Sequence, residues 1–284
     1  MLDSQPSRTA LATAYLRAAH QLLDAPPHVL EDPLAVSVLG DGAPDRIGND
    51  AARHRSPGAR ALRARVVLRT RFAEDRLAQA VARGVCQYVL LGAGLDTFAF
   101  RQPSWAKSLR IVEIDHPDTQ GFKLAMLARA HIEAPSNVTF GVIDFERESL
   151  LEGLGRHGVL PSQPTFFSWL GVTMYLSEAS IDRALQSMGA FAAGSELVLT
   201  FLEPPDERPA TAARSLHRLA ARVAAAGEPF TSYLSPANVE SKLRHAGFAS
   251  VGFLTPEEAE SLYFSPPSPD LPPPAATGIA YAIR

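Results

Sequence analysis

The sequence predicts an α/β fold built on a largely parallel sheet with helices on both faces. Three observations predict it. Five short apolar runs between residues 87 and 201 alternate with stretches of helical periodicity, the pattern of strands joined by crossover helices. The first run leads straight into Gly92-Ala93-Gly94, a turn that lets the backbone approach a ligand because no Cβ stands in the way. The 284 residues are 46% hydrophobic and 20% charged, which supplies a sizeable core and argues against a wholly disordered chain.

The elements follow in order. Arg8–Leu23 repeats apolar positions at helical spacing, with Ser7 or Thr9 available as N-cap and Pro26–Pro27 as the stop. Glu31–Leu39 reads as a shorter helix, Gly40–Gly58 as a Gly/Pro/Asp-rich loop, and Ala59–Arg83 as one long helix closed by Gly84. Strands are expected at Gln87–Leu91, Arg110–Ile114, Val138–Ile143, Thr165–Trp169 and Glu196–Phe201. Helices are expected between them at Leu95–Arg101, Asp118–His131, Glu146–His157 and Glu178–Ala193. Past the breaker cluster Pro204–Pro209, Ala210–Ala226 and Pro236–Ala246 read as helices and Ser250–Leu254 and Gly278–Ile283 as strands. Ser265–Pro274 is Pro-rich and reads as a loop. In open sheets of this kind ligands bind beyond the carboxyl ends of the strands, so the residues that close the strands are the functional candidates.

Composition narrows the classes. A formal net charge of −3 offers no basic excess for nucleic-acid phosphates. Cys86 is the single cysteine, so no intramolecular disulfide and no Cys-based zinc site can form. It reads as a small buried or half-buried thiol. The start, MLDSQPSR, lacks the apolar core of a signal peptide, and nowhere do 18 apolar residues run together. A cytoplasmic protein without membrane or metal is the expectation.

Four strand ends carry the chemistry. At the first, amide groups of Gly92, Ala93 and Gly94 can face a ligand at the start of a helix. The third glycine of a dinucleotide fingerprint is replaced by Thr97, and Asp96 lies where a pyrophosphate would meet a negative charge. A ligand carrying an ammonium and a sulfonium tolerates that aspartate better, so a cationic nucleoside is favoured over a dinucleotide. At the second, Glu113 and Asp115 end the strand about twenty residues later, where acids accept hydrogen bonds from ribose hydroxyls. The plainer alternative is that Asp115 or Asp118 caps the next helix. At the third, Asp144 can take an adenine amino hydrogen and Phe145 cover the base, or the pair is a cap and a core residue. At the fourth, Gly171 permits a close turn, and Tyr175 either steers an acceptor or packs with Trp169 and Met174 in the core.

With those pieces in order, the chain resembles the leucine carboxyl methyltransferase-like family of class I methyltransferases, and within it the bacterial branch of S-adenosylmethionine-dependent O-methyltransferases tied to secondary metabolism. The resemblance runs over nearly the whole chain, through SRTALATAYLRAAH (residues 7–20), EDPLA (31–35), LRTRFAEDRL (68–77), LLGAGLDTFAFR, VEIDHPDTQGFK and FSWLGVTMYLS. It implies a Rossmann-like seven-stranded sheet of order 3-2-1-4-5-7-6 with an antiparallel last strand. It further implies a helical cover over residues 1–83, a cofactor-binding core at 84–203, a lid insertion at 204–234, and a closing helix and strands at 235–284. The implied cofactor is S-adenosylmethionine, with S-adenosylhomocysteine as product, and the implied partner is a small-molecule methyl acceptor.

The resemblance implies that an arginine before the first strand holds the methionine carboxylate. Arg69 matches by position and Arg71 is next; the alternative is a solvated basic face, since Arg63, Arg65, Arg69, Arg71 and Arg76 crowd together. Relatives carry Glu-Gly after the fourth strand, where this chain has Leu170-Gly171, so the contact to the methionine ammonium falls to Asp96 or to backbone carbonyls near Leu170. His116, His217 and Glu203 are the weak candidates for a general base. Two rival readings are a nicotinamide-dependent oxidoreductase on the same strand–turn–helix, and a cofactor-binding module without catalysis.

Overall fold

Five apolar runs form parallel strands, and all but the third, at the sheet's edge, bury both faces under helices. In a computed structural model, which describes residues 6–265 and 270–284, they are β1 (Gln87–Leu91), β2 (Arg110–Asp115), β3 (Val138–Val142), β4 (Thr165–Trp169) and β5 (Glu196–Thr200). β6 (Ser250–Phe253) and β7 (Ile279–Ile283) complete a sheet of order β3-β2-β1-β4-β5-β7-β6. β7 runs antiparallel to both β5 and β6. The expected fold class is therefore observed, strand order included.

The long helix α5 (Pro57–Ala82) covers one face, where Leu68, Phe72 and Leu77 meet Tyr88, Ile111, Phe166 and Val198. The other face holds α7 (Leu150–Arg156), α8 (Glu178–Gly189) and α10 (Pro236–His245), packed on Val89, Leu91, Val112, Phe167, Trp169 and Leu199. A third cluster joins α1 (Arg8–Leu23), α2 (Leu34–Ser37) and α3 (Ala43–Asn49) to Leu95 and to Leu127 of α6 (Pro117–Arg129). The short α4 (Ala51–His54) precedes α5, and α9 (Ala210–Ala225) and α11 (Pro256–Ala259) fall in the last third. Among the described residues, no helix is long and apolar enough to cross a membrane.

Several boundaries differ from expectation. Gly40–Gly58 is not a loop: it carries α3 and α4, because Pro44 sits where a helix start needs no amide donor, and Ala43 and Ile47 are buried against α1. Glu31–Leu39 forms only the single turn of α2, since Asp32 and Pro33 are used in a turn before it. Leu95–Arg101 is not an α-helix but a short 3-10 turn at Phe98–Phe100. The α5 helix already fills the sheet face that a helix there would need. Cys86 is exposed, not buried. The Pro-rich loop expected at Ser265–Pro274 lies partly outside the described residues, at positions 266–269.

Candidate functional site

The carboxyl ends of β1 to β5 open on one edge, and their registers set the candidate residues side by side. Gly92 and Gly94 have φ of +68° and +51°, a region that costs residues with a Cβ. The amides of Gly92 and Ala93 both donate to the Ile114 carbonyl, at 2.8 and 3.0 Å. That of Gly94 donates to Asp115 Oδ2 at 2.5 Å. The glycine turn is thereby folded against the end of β2. A Cβ on Gly92 would stand 2.2 Å from Val172 Cγ2, and one on Gly94 would stand 3.2 Å from the Ala10 Cβ. Close packing of the fourth strand's loop and of α1 is thus one reason for glycine here. All three amides are spent inside the protein and no α-helix follows the turn, so the expectation that they face a ligand at a helix start is not met.

Asp115 points into this edge. Its Oδ1 accepts from the His116 amide at 2.7 Å and its Oδ2 from Gly94, and burial raises its pKa against those two bonds. It does not cap α6, whose N-cap is His116 and lacks a side-chain bond. Each carboxylate oxygen keeps a lone pair for a further donor. His116 is half-buried beside Asp118, 3.5 Å from its Oδ2, and its Nδ1 has no hydrogen-bond partner. Glu113 is placed differently from expectation. It is fully buried and spent on an ion pair with Lys123 Nζ at 2.6 Å, with burial pushing its pKa up to about 7. It braces α6 against β2 and does not reach the cleft's surface. Nearby, both amide atoms of buried Gln120 lack partners.

At the third strand end, Asp144 Oδ1 accepts from the Glu146 amide at 3.0 Å and so shapes the turn that follows. Its other oxygen lies 3.7 Å from exposed Arg147. The Phe145 ring packs edge-on to Trp169, centroids 6.4 Å apart. At the fourth, Leu170 is half-buried against the α5 face. Gly171, at φ +76°, leaves room for Arg69: a Cβ there would stand 2.6 Å from Nη1 and 2.9 Å from Nη2.

The crowded arginines of α5 are sorted by their partners. Arg63 is buried in a fork with Asp24, at 2.7 and 2.6 Å. Arg71 pairs with Asp75 and Arg76 with Glu196. Arg69 alone has neither hydrogen bond nor ion pair among the described residues. Burial pushes its pKa down to about 10; Tyr175 and Asp96 oppose that shift and Arg17 adds to it. The basic face is therefore not simply solvated. Asp96 uses one oxygen on the Phe98 amide, at 2.8 Å, and the other is open.

Tyr175, its pKa raised by burial, sits beside the Thr9 hydroxyl, Glu228 and Arg69, and its ring lies 5.5 Å from Phe230. Glu228, which sequence reasoning missed, follows α9. Its carboxylate accepts from the Ser7 hydroxyl at 3.1 Å, from the amides of Arg8 and Thr9 at 2.7 and 3.2 Å, and from the Thr9 hydroxyl. It pins residues after the fifth strand to the first turn of α1, across more than 200 positions, and no local signal marks it. Ser7 also caps α1 through the Ala10 amide and donates its own amide to Thr119 at the start of α6. Sequence reasoning also missed a buried charge cluster beneath the glycine turn. Asp32 of EDPLA accepts from the Thr97 hydroxyl at 2.7 Å and pairs with Arg17 and Arg101, and Arg101 pairs with Glu74. The paired motifs EDPLA and LDTFAFR were legible as motifs but not as one network. Among the described residues, no group of three His, Cys, Asp or Glu side chains gathers as a metal would require.

Comparison with known proteins places the chain among methyltransferases. The model of a family described as leucine carboxyl methyltransferase matches residues 10–189. YktD of Bacillus subtilis, named as a candidate S-adenosyl-L-methionine-dependent methyltransferase, is 29% identical over 289 residues, covering 93% of each chain. A candidate methyltransferase of the same description from Frankia alni is 34% identical over 200 residues, 68% of this chain and 67% of that one. Among solved structures, a DUF574 family protein from Streptomyces avermitilis superposes with a TM-score of 0.62 at 15% identity, covering all of both chains. A candidate methyltransferase from Thermobifida fusca gives 0.57 at 18% identity, covering all of this chain and 96% of the other. At those identities the two structures speak for the fold alone.

Proposed function

Since the chain belongs to the leucine carboxyl methyltransferase family of S-adenosylmethionine-dependent methyltransferases, we propose that it methylates an oxygen, carboxylate or hydroxyl, of a small molecule. The family membership sets aside the nicotinamide-dependent reading. One observation carries the small acceptor: the loop after α9 is fastened across the strand ends by Glu228 on Ser7–Thr9. That roof, with Tyr175 and Phe230 beneath it, suits a small molecule better than an open protein docking groove. The family's name-giving chemistry, carboxyl methylation, supports oxygen as the accepting atom.

The residues present fit the cofactor. Arg69 is a guanidinium fork with no acid of its own among the described residues, suited to a methionine carboxylate, and Asp96 stands nearby with one oxygen left for the ammonium. Asp115 has lone pairs for ribose hydroxyls. Asp144 and Phe145, with Gly92, Ala93, Gly94 and Leu170, would line the adenosine and methionine ends, and His116 the ribose side. In this reading residues 1–83 and 204–234 are the cover and lid of the core at 84–203, and residues 235–284 close the sheet.

Bound S-adenosylmethionine supplies an electrophilic methyl on a cationic sulfur. The protein's part is alignment and exclusion of water, and well-oriented reactants gain roughly 7–11 kcal/mol. Tyr175 orients the acceptor by its hydroxyl, held by its neighbours at a fixed position under the roof. A carboxylate acceptor needs no base. A hydroxyl acceptor would, and Glu228 is poorly placed for it, because its carboxylate oxygens are already taken by four donors. The test is transfer of a labelled methyl group from S-adenosylmethionine to fractionated extract. Label in the small-molecule fraction, stable to amine methylation controls, supports the proposal. Label confined to protein, or bound to nitrogen or carbon, refutes it.

A further inference from the structure

Arg65 and Arg208 make a second cationic pair near Arg69. Arg65 stands one helical turn before Arg69 on α5, hence on the same face. Among the described residues its only acceptor is the Ala276 carbonyl, reached by Nε and Nη2 at 3.3 and 3.0 Å. Arg208, near the start of the insertion after β5, donates Nε to the Glu203 carbonyl at 3.3 Å and holds Nη2 3.9 Å from Glu203 Oε1. Its side chain is only 4% exposed. The two guanidinium groups repel. Burial and Arg208 both push the Arg65 pKa down, and Glu203 opposes them.

Two guanidiniums thus share the influence of one carboxylate, which Arg208 meets at a distance too long for a hydrogen bond. Positive charge in excess of its carboxylate and held largely out of water is expensive, and guanidinium forks that grip only carbonyl oxygens are shaped to take a carboxylate or a phosphate as well. The place is also informative. Glu203 lies just beyond Thr200 at the carboxyl end of β5, and Ala276 lies just before β7, whose Ile279 pairs with Thr200. The pair therefore stands at the ligand-binding edge of the sheet, between α5 and the base of the insertion.

We infer that Arg65 and Arg208 hold an acidic group of the methyl acceptor, separate from the oxygen that is methylated. The inference rests on the small-molecule reading above and narrows it to acceptors with a carboxylate or phosphate handle. Succinate and, separately, inorganic phosphate are titrated by calorimetry into the protein saturated with S-adenosylhomocysteine, and into R65Q and R208Q. Saturable binding of at least one anion is expected, weakened at least about tenfold (about 1.4 kcal/mol) in both variants. Affinity for S-adenosylhomocysteine should stay within about twofold. Which anion binds separates a carboxylate handle from a phosphate. R208K, which keeps the charge and loses the fork, should bind with intermediate affinity, and it serves as the reading if a glutamine variant fails to fold. The inference is overturned if the wild type binds neither anion or if the variants bind as well as it does. It is equally overturned if affinity for S-adenosylhomocysteine falls in step, since the pair would then serve the cofactor. A wild type that binds no S-adenosylhomocysteine refutes the cofactor site beneath it, a failure seen before any anion is added.

Discussion

Replacing Arg69 by methionine separates a ligand-binding arginine from a structural one, because the two roles predict opposite signs. Among the described residues the Arg69 guanidinium has no acid partner, and burial lowers its pKa to about 10. A displacement of that size corresponds to about 3 kcal/mol held against the charged form. Below pH 10 the group is charged in both native and unfolded chains, so at neutral pH the whole penalty bears on the native state. A methionine side chain would fill similar space without charge, and the free protein should gain about 1–3 kcal/mol, a rise in Tm of roughly 2–6 °C for a chain of this size. Binding should move the other way. Loss of a charge-assisted fork to the methionine carboxylate costs about 3 kcal/mol, roughly 100-fold in Kd for S-adenosylhomocysteine. Melting curves with and without the ligand, together with calorimetric titration, measure both. Arg63 is the control: R63M strands Asp24 without its buried partner and should destabilise by about 3–5 kcal/mol. If R69M melts lower than wild type and binds S-adenosylhomocysteine unchanged, Arg69 belongs with Arg63 and the site assignment fails.

Asp115→Ala should weaken S-adenosylhomocysteine binding by at least about tenfold, through lost ribose contacts and a loosened Gly94 turn; unchanged affinity in a folded variant removes Asp115 from the site. Glu228→Ala should speed hydrogen exchange at the Arg8 and Thr9 amides and cost about 2–4 kcal/mol, and an unaltered exchange pattern would show that the clasp contributes nothing. Glu113, raised to about 7 in the native state from about 4.3 when unfolded, keeps a proton that the unfolded chain has released. Its contribution to stability therefore falls as pH rises from about 4.5 to 7 and is level beyond. Glu113→Gln should flatten that part of a denaturation-versus-pH profile, and an unchanged slope would count against it.

The division between the legible and the hidden follows the range of the interactions. The β1 and β4 spans and α1 were readable to the residue because a run such as Gln87–Leu91, buried along its whole length, needs only local apolar density. Glycines at 92, 94 and 171 were readable because the backbone there must take φ values that side chains resist. Where neighbours decide, the pattern misled. Leu95–Arg101 has helical spacing, yet α5 already occupies the face it would cover. Glu113 and Asp115 look alike on one strand, and only the approach of Lys123 from α6 takes the first out of the site.

By itself the sequence determined the α/β class, the strands, the glycine turn and, through its motifs, the family and its cofactor. These rest on periodicity and backbone sterics, which act over a few residues. The tertiary structure decided which charges are already satisfied. Arg63, Arg71 and Arg76 have acids waiting for them, Arg69 has none among the described residues, and Glu228 closes onto a helix that begins some 220 residues earlier. Ion pairing is a matter of distance in space and of burial, and neither is written in the spacing of arginines along a helix.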